Sequence, residues 1–290
     1  MKRVFLFVVT NLAVLLVLSI VARLVGVQDP AQLGGLLVMA AIFGMGGALI
    51  SLLLSKWSAK HMTGARVIEQ PQNDTEQWLS NTVANLARAA GIGMPEVAIF
   101  DSPQPNAFAT GARRDAALVA VSTGLLRSMR KNEIEGVLGH EITHVSNGDM
   151  VTLTLVQGVV NTFVIFLSRA LGGVVDRAIF GDRERGRGNG PGYFITVIAL
   201  QILFGIAASL IVFAFSRGRE FRADAGGARL AGRENMIGAL ERLKASSPQP
   251  LPDQLQAFGI AGDAVSRFGR LFLTHPPLEE RIERLRSMTA

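Results

Sequence analysis

Four long stretches of this chain carry no charged residue: Val4–Ala22, Leu33–Leu54, Val151–Leu167 and Tyr193–Phe215. A helix needs about 20 apolar residues to cross a bilayer, so each is a candidate span. The first follows Lys2 and Arg3. It is longer than the apolar core of a signal peptide, has no clear small-x-small cleavage site, and is followed closely by a second span, so it reads as a retained anchor. The second is rich in small residues, Gly44, Gly46, Gly47 and Ala48, which suit close helix–helix approach. The third is the shortest and carries Thr152, Thr154, Gln157, Asn161 and Thr162. It reads either as a span packed within the protein or lining a polar cavity, or as a buried soluble helix. The fourth is the cleanest.

The polar remainder falls into two pieces with a different periodicity. Between the second and third spans, Thr75–Ala90 places Trp78, Leu79, Val83, Leu86 and Ala90 at helical spacing. Glu96–Phe100 and Ala116–Val121 read as short strands separated by a segment containing Pro, Gly and Asn. A helix then follows, with Asn132 as N-cap, Glu135 three residues on, and Gly148 as its stop. The piece after the fourth span is mostly helical and broken by the proline-rich Ser247–Asp253. No internal repeat is apparent. The expected division is a two-span anchor at 1–55, a first soluble part at 56–150, a hydrophobic hairpin at 151–215 and a second soluble part at 216–290.

Charge sets an expected orientation. Lys2 and Arg3 precede the first span, and the connection Gly26–Gln32 holds Asp29 but no Lys or Arg. By the positive-inside rule the N-terminus and both soluble parts face the cytoplasm. The connection Asp176–Gly192 points the other way, with Arg177, Arg183, Arg185 and Arg187 against three acids. An even number of spans still keeps both soluble parts on one side. The net charge of +6 is explained by arginines that flank membrane segments. No aromatic-rich basic stripe accompanies them, so nucleic acid is not an expected partner. The chain has no cysteine, which excludes disulfides, iron–sulfur clusters and Cys-ligated zinc.

The chemistry is carried by His140-Glu141-Ile142-Thr143-His144. Residues four apart share a helix face, so His140 and His144 can turn their imidazoles to one metal ion, with Glu141 beside them as a general base. The alternative is a helix with two solvated histidines and a surface glutamate. A metzincin continuation would need Gly and His where the chain has Asn147 and Met150. His61 and His275 stand isolated, which leaves a glutamate as the favoured third ligand and one position open for water. Glu220, in Arg219-Glu220-Phe221-Arg222-Ala223-Asp224 just past the fourth span, is the candidate. Asp224, four residues on, can accept from the outer N–H of a ligating imidazole. Glu220 can also be read as balancing Arg217, Arg219 and Arg222.

With these residues in place, the chain resembles the HtpX-type membrane zinc metalloproteases, bacterial relatives of the CAAX prenyl-protein endopeptidases. The resemblance covers essentially the whole chain. It rests on Pro105-Asn106-Ala107-Phe108-Ala109-Thr110-Gly111, Gly139 through His144, Asn147-Gly148-Asp149, Glu220 through Asp224, and His275-Pro276-Pro277. It implies a mainly α membrane protein: four hydrophobic helices plus a cytoplasmic α+β zincin-like (gluzincin) metalloprotease domain with a small sheet. By the same resemblance His140, His144 and Glu220 ligate one zinc ion per chain, Glu141 is the catalytic base and Asp224 supports the site. Asn106, Ala107 and Phe108 would form a substrate-binding strand beside the cleft; Asn106 also reads as a turn residue after Pro105. His275 would donate to the oxyanion, or cap the helix starting near Pro277.

The expected activity is endopeptidase cleavage of cytoplasmic regions of misfolded or damaged membrane proteins, in a stress response at the bacterial inner membrane. Its partners would be protein substrates and the lipid bilayer. Two other readings stand beside it: an endopeptidase for lipid-modified protein tails, and a non-catalytic metal-binding assembly factor. A retained Glu141 speaks against the latter, since a structural metal needs ligands but no base. A transporter is disfavoured by charge-free spans.

Overall fold

The computed structural model describes residues 13–21, 23–24, 30–180, 191–246 and 275–288. Most of the first expected span, residues 26–29 of the connection after it, the centre of the Asp176–Gly192 connection and the Ser247–Asp253 break lie outside these residues. The chain divides into two compact units, one of Met1–Ser51 with Leu153–Val212, the other of Leu52–Thr152 with Phe213–Ala290.

The first unit is helical where described. Pro30–Ala40 (α1) and Gly47–Thr63 (α2) are joined without a break by a π-helical turn, Ala41–Gly46. Two longer helices follow later in the chain, Asp149–Phe180 (α6) and Pro191–Ala231 (α7). Three segments among the described residues are long and apolar enough to cross a membrane: Leu33–Thr63, Asp149–Val175 and Gly192–Ala231. Along the last, Phe194, Ile195, Ile198, Ile202, Leu203, Ile206 and Ile211 are all exposed, as a lipid-facing surface requires. Only 22% of the Asp149–Val175 window is buried, which argues against a buried soluble helix there. Its polar residues are satisfied within the helix: Gln157 Nε2 donates to Asn161 Oδ1 at 2.8 Å, and Thr162 Oγ1 to the Gly158 carbonyl at 2.8 Å. Of the four small residues in the second span, Gly44 and Ala48 make a close approach. A Cβ on Gly44 would collide with Thr162, and Ala48 lies against Gly158, whereas nothing lies within 4 Å of a Cβ on Gly46 or Gly47.

The second unit is built on a four-stranded sheet: Arg66–Val67 (β1), Glu96–Phe100 (β2), Ala107–Thr110 (β3) and Leu118–Ser122 (β4), in the order β1-β2-β4-β3. β4 runs parallel to β2 and antiparallel to β3, and every one of its residues is buried. The strand expected at Ala116–Val121 thus starts two residues later, because Arg114–Ala116 forms a 3-10 turn. Asp74–Ala89 (α3) is capped by the Asn73 side chain and packs Leu79, Val83 and Leu86 into the core.

The central helix, Lys131–Asn147 (α5), places Leu138, Ile142 and Val145 in the same core. Its start differs from the expected one. Arg130, not Asn132, is the N-cap, and the Glu133 carboxylate accepts from the Arg130 N–H at 2.7 Å. Asn132 is already inside the first helical turn, whereas the extended backbone of a cap residue occurs at Arg130, φ -75° and ψ 157°. The expected stop holds: Gly148 is left-handed, with φ 67°, and its N–H returns to the carbonyls of His144 and Val145. Thr123–Ser128 (α4) precedes this helix, and Arg233–Ser246 (α8) and Leu278–Ser287 (α9) complete the unit.

Glycines bring α5 against α7 and α8. A Cβ on Gly226 would collide with the Thr143 side chain, one on Gly136 would lie 2.5 Å from the Asn235 carbonyl, and one on Gly227 2.9 Å from the His140 nitrogen. The expected outcome for Gly226→Val is a loss of about 1–3 kcal/mol through overpacking, together with loss of bound metal. Gly218→Ala, with nothing within 4 Å of the added Cβ, should leave denaturant unfolding of the detergent-solubilised protein unchanged or slightly strengthened.

Candidate metal centre

Two turns of α5 and one of α7 meet to make the site. His140 and His144 stand one turn apart, their rings edge to face with centroids 4.6 Å apart and their Nε2 atoms 3.1 Å apart. From α7 the Glu220 carboxylate closes the triangle, at 3.5 Å from His140 Nε2 and 3.3 Å from His144 Nε2. All three side chains are buried, and their donor atoms lie within 4.8 Å of one another.

These separations fit a bound ion. Bonds of about 2.0–2.1 Å from a tetrahedral centre put neighbouring donors roughly 3.3 Å apart. The Oε2 atom of Glu220 is buried, and the groups that reach it are all nitrogens able to carry positive charge: His275 Nδ1 at 2.8 Å, His140 Nε2 at 3.5 Å and Arg281 Nη1 at 3.6 Å, the surroundings of a carboxylate that calls for a cation. The imidazoles report the same demand for positive charge. Burial works against a charged His144, yet the Asp149 and Glu220 carboxylates outweigh it and hold its pKa up at about 9. His140 is likewise raised, with Asp224 and Glu220 overcoming the effect of burial. A divalent ion meets that demand with neutral rings.

The outer face of each ring is fixed by a carboxylate. His140 Nδ1 donates to Asp224 Oδ1 at 2.9 Å, and His144 Nδ1 to Asp149 Oδ2 at 2.7 Å. Each bond keeps the proton on Nδ1 and leaves the Nε2 lone pair for the centre. Arg281, on α9, grips Asp224 with two parallel bonds, Nε to Oδ2 at 2.8 Å and Nη2 to Oδ1 at 2.6 Å. Glu141 is half-buried on the same turn as the two histidines.

His275 is exposed, with Nδ1 2.8 Å from Glu220 Oε2. It does not cap α9, whose N-cap is Pro277. β3 is one of the two edge strands and packs beside α5. Asn106 extends its pairing with β4: its N–H donates to Ser122 Oγ at 2.9 Å and its carbonyl accepts from the Ser122 N–H at 2.8 Å. Ala107 packs on the core beneath α5, and the Phe108 ring packs on Phe100 at 5.5 Å. Asn106 thus spends its main-chain groups on β4, and by strand alternation Ala107 is the one of these three residues whose N–H and C=O face the open edge, with the Phe108 ring already engaged.

Two residues to which the sequence reading gave no role, Asp149 and Arg281, carry part of the site's support. Asp149 follows the helix stop directly, a place from which an acid can turn back on the last helical turn. Arg281 lies on the buried face of α9 with Ile282 and Leu285; an arginine on the apolar stripe was the available signal.

Comparison with known proteins agrees with this geometry. Peptidase family M48 matches residues 73–289. The "Protease HtpX homolog" of Nitrosomonas europaea is 60% identical over 99% of this chain and 99% of its own length. "Protease HtpX" of Xanthomonas euvesicatoria pv. vesicatoria is 62% identical over 99% of this chain and 97% of its own. The crystal structure of S. mikatae Ste24p resembles the fold at a TM-score of 0.62 and 20% identity, over 86% of this chain; the chain spans 58% of that structure. With relatives this similar along its whole length and a family match that takes in every residue of the metal centre, the chain belongs to peptidase family M48.

Proposed function

We propose that this membrane-bound metalloprotease is a zinc-dependent endopeptidase of the bacterial inner membrane. In this reading its catalytic part faces the cytoplasm and cleaves misfolded or damaged membrane proteins. The observation that carries the proposal is the convergence of His140, His144 and Glu220 at ion-sized separations with Glu141 on the same helical turn. Two imidazole nitrogens and a carboxylate, without any thiolate, suit zinc with an open position.

The chemistry that zinc supplies in such a site is polarisation of a carbonyl and a water pKa of about 7. Glu141 takes the proton from the attacking water and returns it to the leaving amine nitrogen. Asp149 and Asp224 hold the imidazoles in one tautomer and orientation, and Arg281 keeps Asp224 aligned. His275 donates to the oxyanion that develops on the substrate carbonyl. A substrate lies extended along β3, held by main-chain bonds that tolerate many sequences. Glu220 follows Phe215 by five residues, about 7–8 Å of helix, so chains emerging from the bilayer are the nearest substrates.

Glu141→Gln should abolish cleavage of an unfolded test protein by the zinc-loaded, solubilised enzyme while bound zinc persists. If wild type and variant are both inert and both hold zinc, a structural metal site or an enzyme confined to lipid-modified tails replaces this reading. Asp149→Asn should weaken zinc affinity about 10–100-fold in competition with a chromophoric chelator. An unchanged affinity would remove Asp149 from the metal centre.

A further inference from the structure

A cavity of about 600 Å³ opens on the second unit, lined by Asn147, Asp149, Thr152, Phe215, Arg222, Ala225 and Arg229. Phe215, Arg222 and Arg229 recur every seven residues and so share one face of α7. The two arginines form no ion pair among the described residues, and the one acid in the wall, Asp149, is committed to His144. Arg219, a turn below Phe215 on that helix, adds a third cation. It is only 3% exposed, bonds the Asp149 carbonyl, lies over the Phe215 ring at 5.6 Å, and leaves its Nε without a partner. Two exposed guanidinium groups without an ion pair among the described residues, beside a third that is buried, form a receptor for an anion.

The position of the cavity along the chain selects the anion. Thr152 is the second residue of the charge-free stretch Val151–Leu167 of α6, and Phe215 ends the charge-free stretch of α7. Arg222 and Arg229 follow Phe215 by about 10 and 21 Å of helix. A ligand with an apolar end toward Phe215 and an anionic end toward the arginines matches this gradient, which is the construction of a phospholipid at the membrane surface. We propose that the cavity binds the phosphate of an anionic lipid headgroup, with Arg222 and Arg229 as its ligands; Thr152, whose hydroxyl donates to the Gly148 carbonyl at 3.1 Å, lines the wall.

The test uses the full chain in neutral detergent and follows thermal unfolding, so it is read without proteolysis and stands apart from the catalytic proposal. Phosphatidylglycerol, phosphatidylcholine and inorganic phosphate are titrated in parallel against wild type and Arg222→Gln/Arg229→Gln. The expected result is stabilisation of wild type by phosphatidylglycerol at concentrations at least tenfold below those needed with either other probe, and a tenfold or greater weakening in the double variant. Arg222→Lys/Arg229→Lys, which keeps the charge, should retain part of the response and shows that the variants fold. Equal responses of wild type and the glutamine variant to phosphatidylglycerol overturn the site. A wild-type preference for inorganic phosphate over the lipid, lost in the variant, overturns the lipid as its source.

Discussion

A carboxylate buried between two imidazoles needs a positive charge, and much of the second unit is arranged around that need. Glu220 brings its oxygens within 3.3–3.5 Å of the two Nε2 atoms, and the Arg281 guanidinium lies 3.6 Å from its Oε2. The same carboxylates hold the pKa values of both histidines above the ordinary imidazole value, against the effect of burial. The surrounding residues serve this centre in layers. Asp149 and Asp224 orient the rings, and Arg281 and Arg219 bind the residues that do the orienting. An arginine buried on the apolar face of α9 would be expensive by itself; paired twice with Asp224, it ties the last described helix to the metal centre.

Helix contact makes this arrangement possible. The HExxH helix and the helix bearing Glu220 lie far apart in sequence and meet where Gly226 faces Thr143 and Gly227 faces the backbone of His140. With side chains at these positions the axes would separate, and a carboxylate as short as that of Glu220 would no longer span the gap. The opposite face of α5 rests on the sheet through Leu138 and Ile142. The histidines are thus fixed by packing on both sides before any metal binds, which is the condition for a preorganised site.

The sequence made the local parts of this account legible. Four-residue spacing of the histidines, an acid past the fourth span and a second acid four residues later located His140, His144, Glu220 and Asp224. The Gly148 stop and the strand Glu96–Phe100 also emerged from pattern alone. What stayed hidden depended on tertiary contact. Asp149 and Arg281 act through partners that no periodicity identifies, and Asn132 lost the N-cap to Arg130 because helices begin where the chain's approach permits. The glycines of the second span looked equivalent in sequence, yet only Gly44 meets a neighbouring helix.

Zinc K-edge X-ray absorption on the zinc-loaded, purified chain tests the central claim most directly. The account predicts a first shell of nitrogen and oxygen at about 2.0–2.1 Å, with the multiple-scattering signature of two imidazoles that falls to one in His144→Ala. A shell of oxygen alone, or a spectrum unchanged by that substitution, would contradict a centre built from His140, His144 and Glu220.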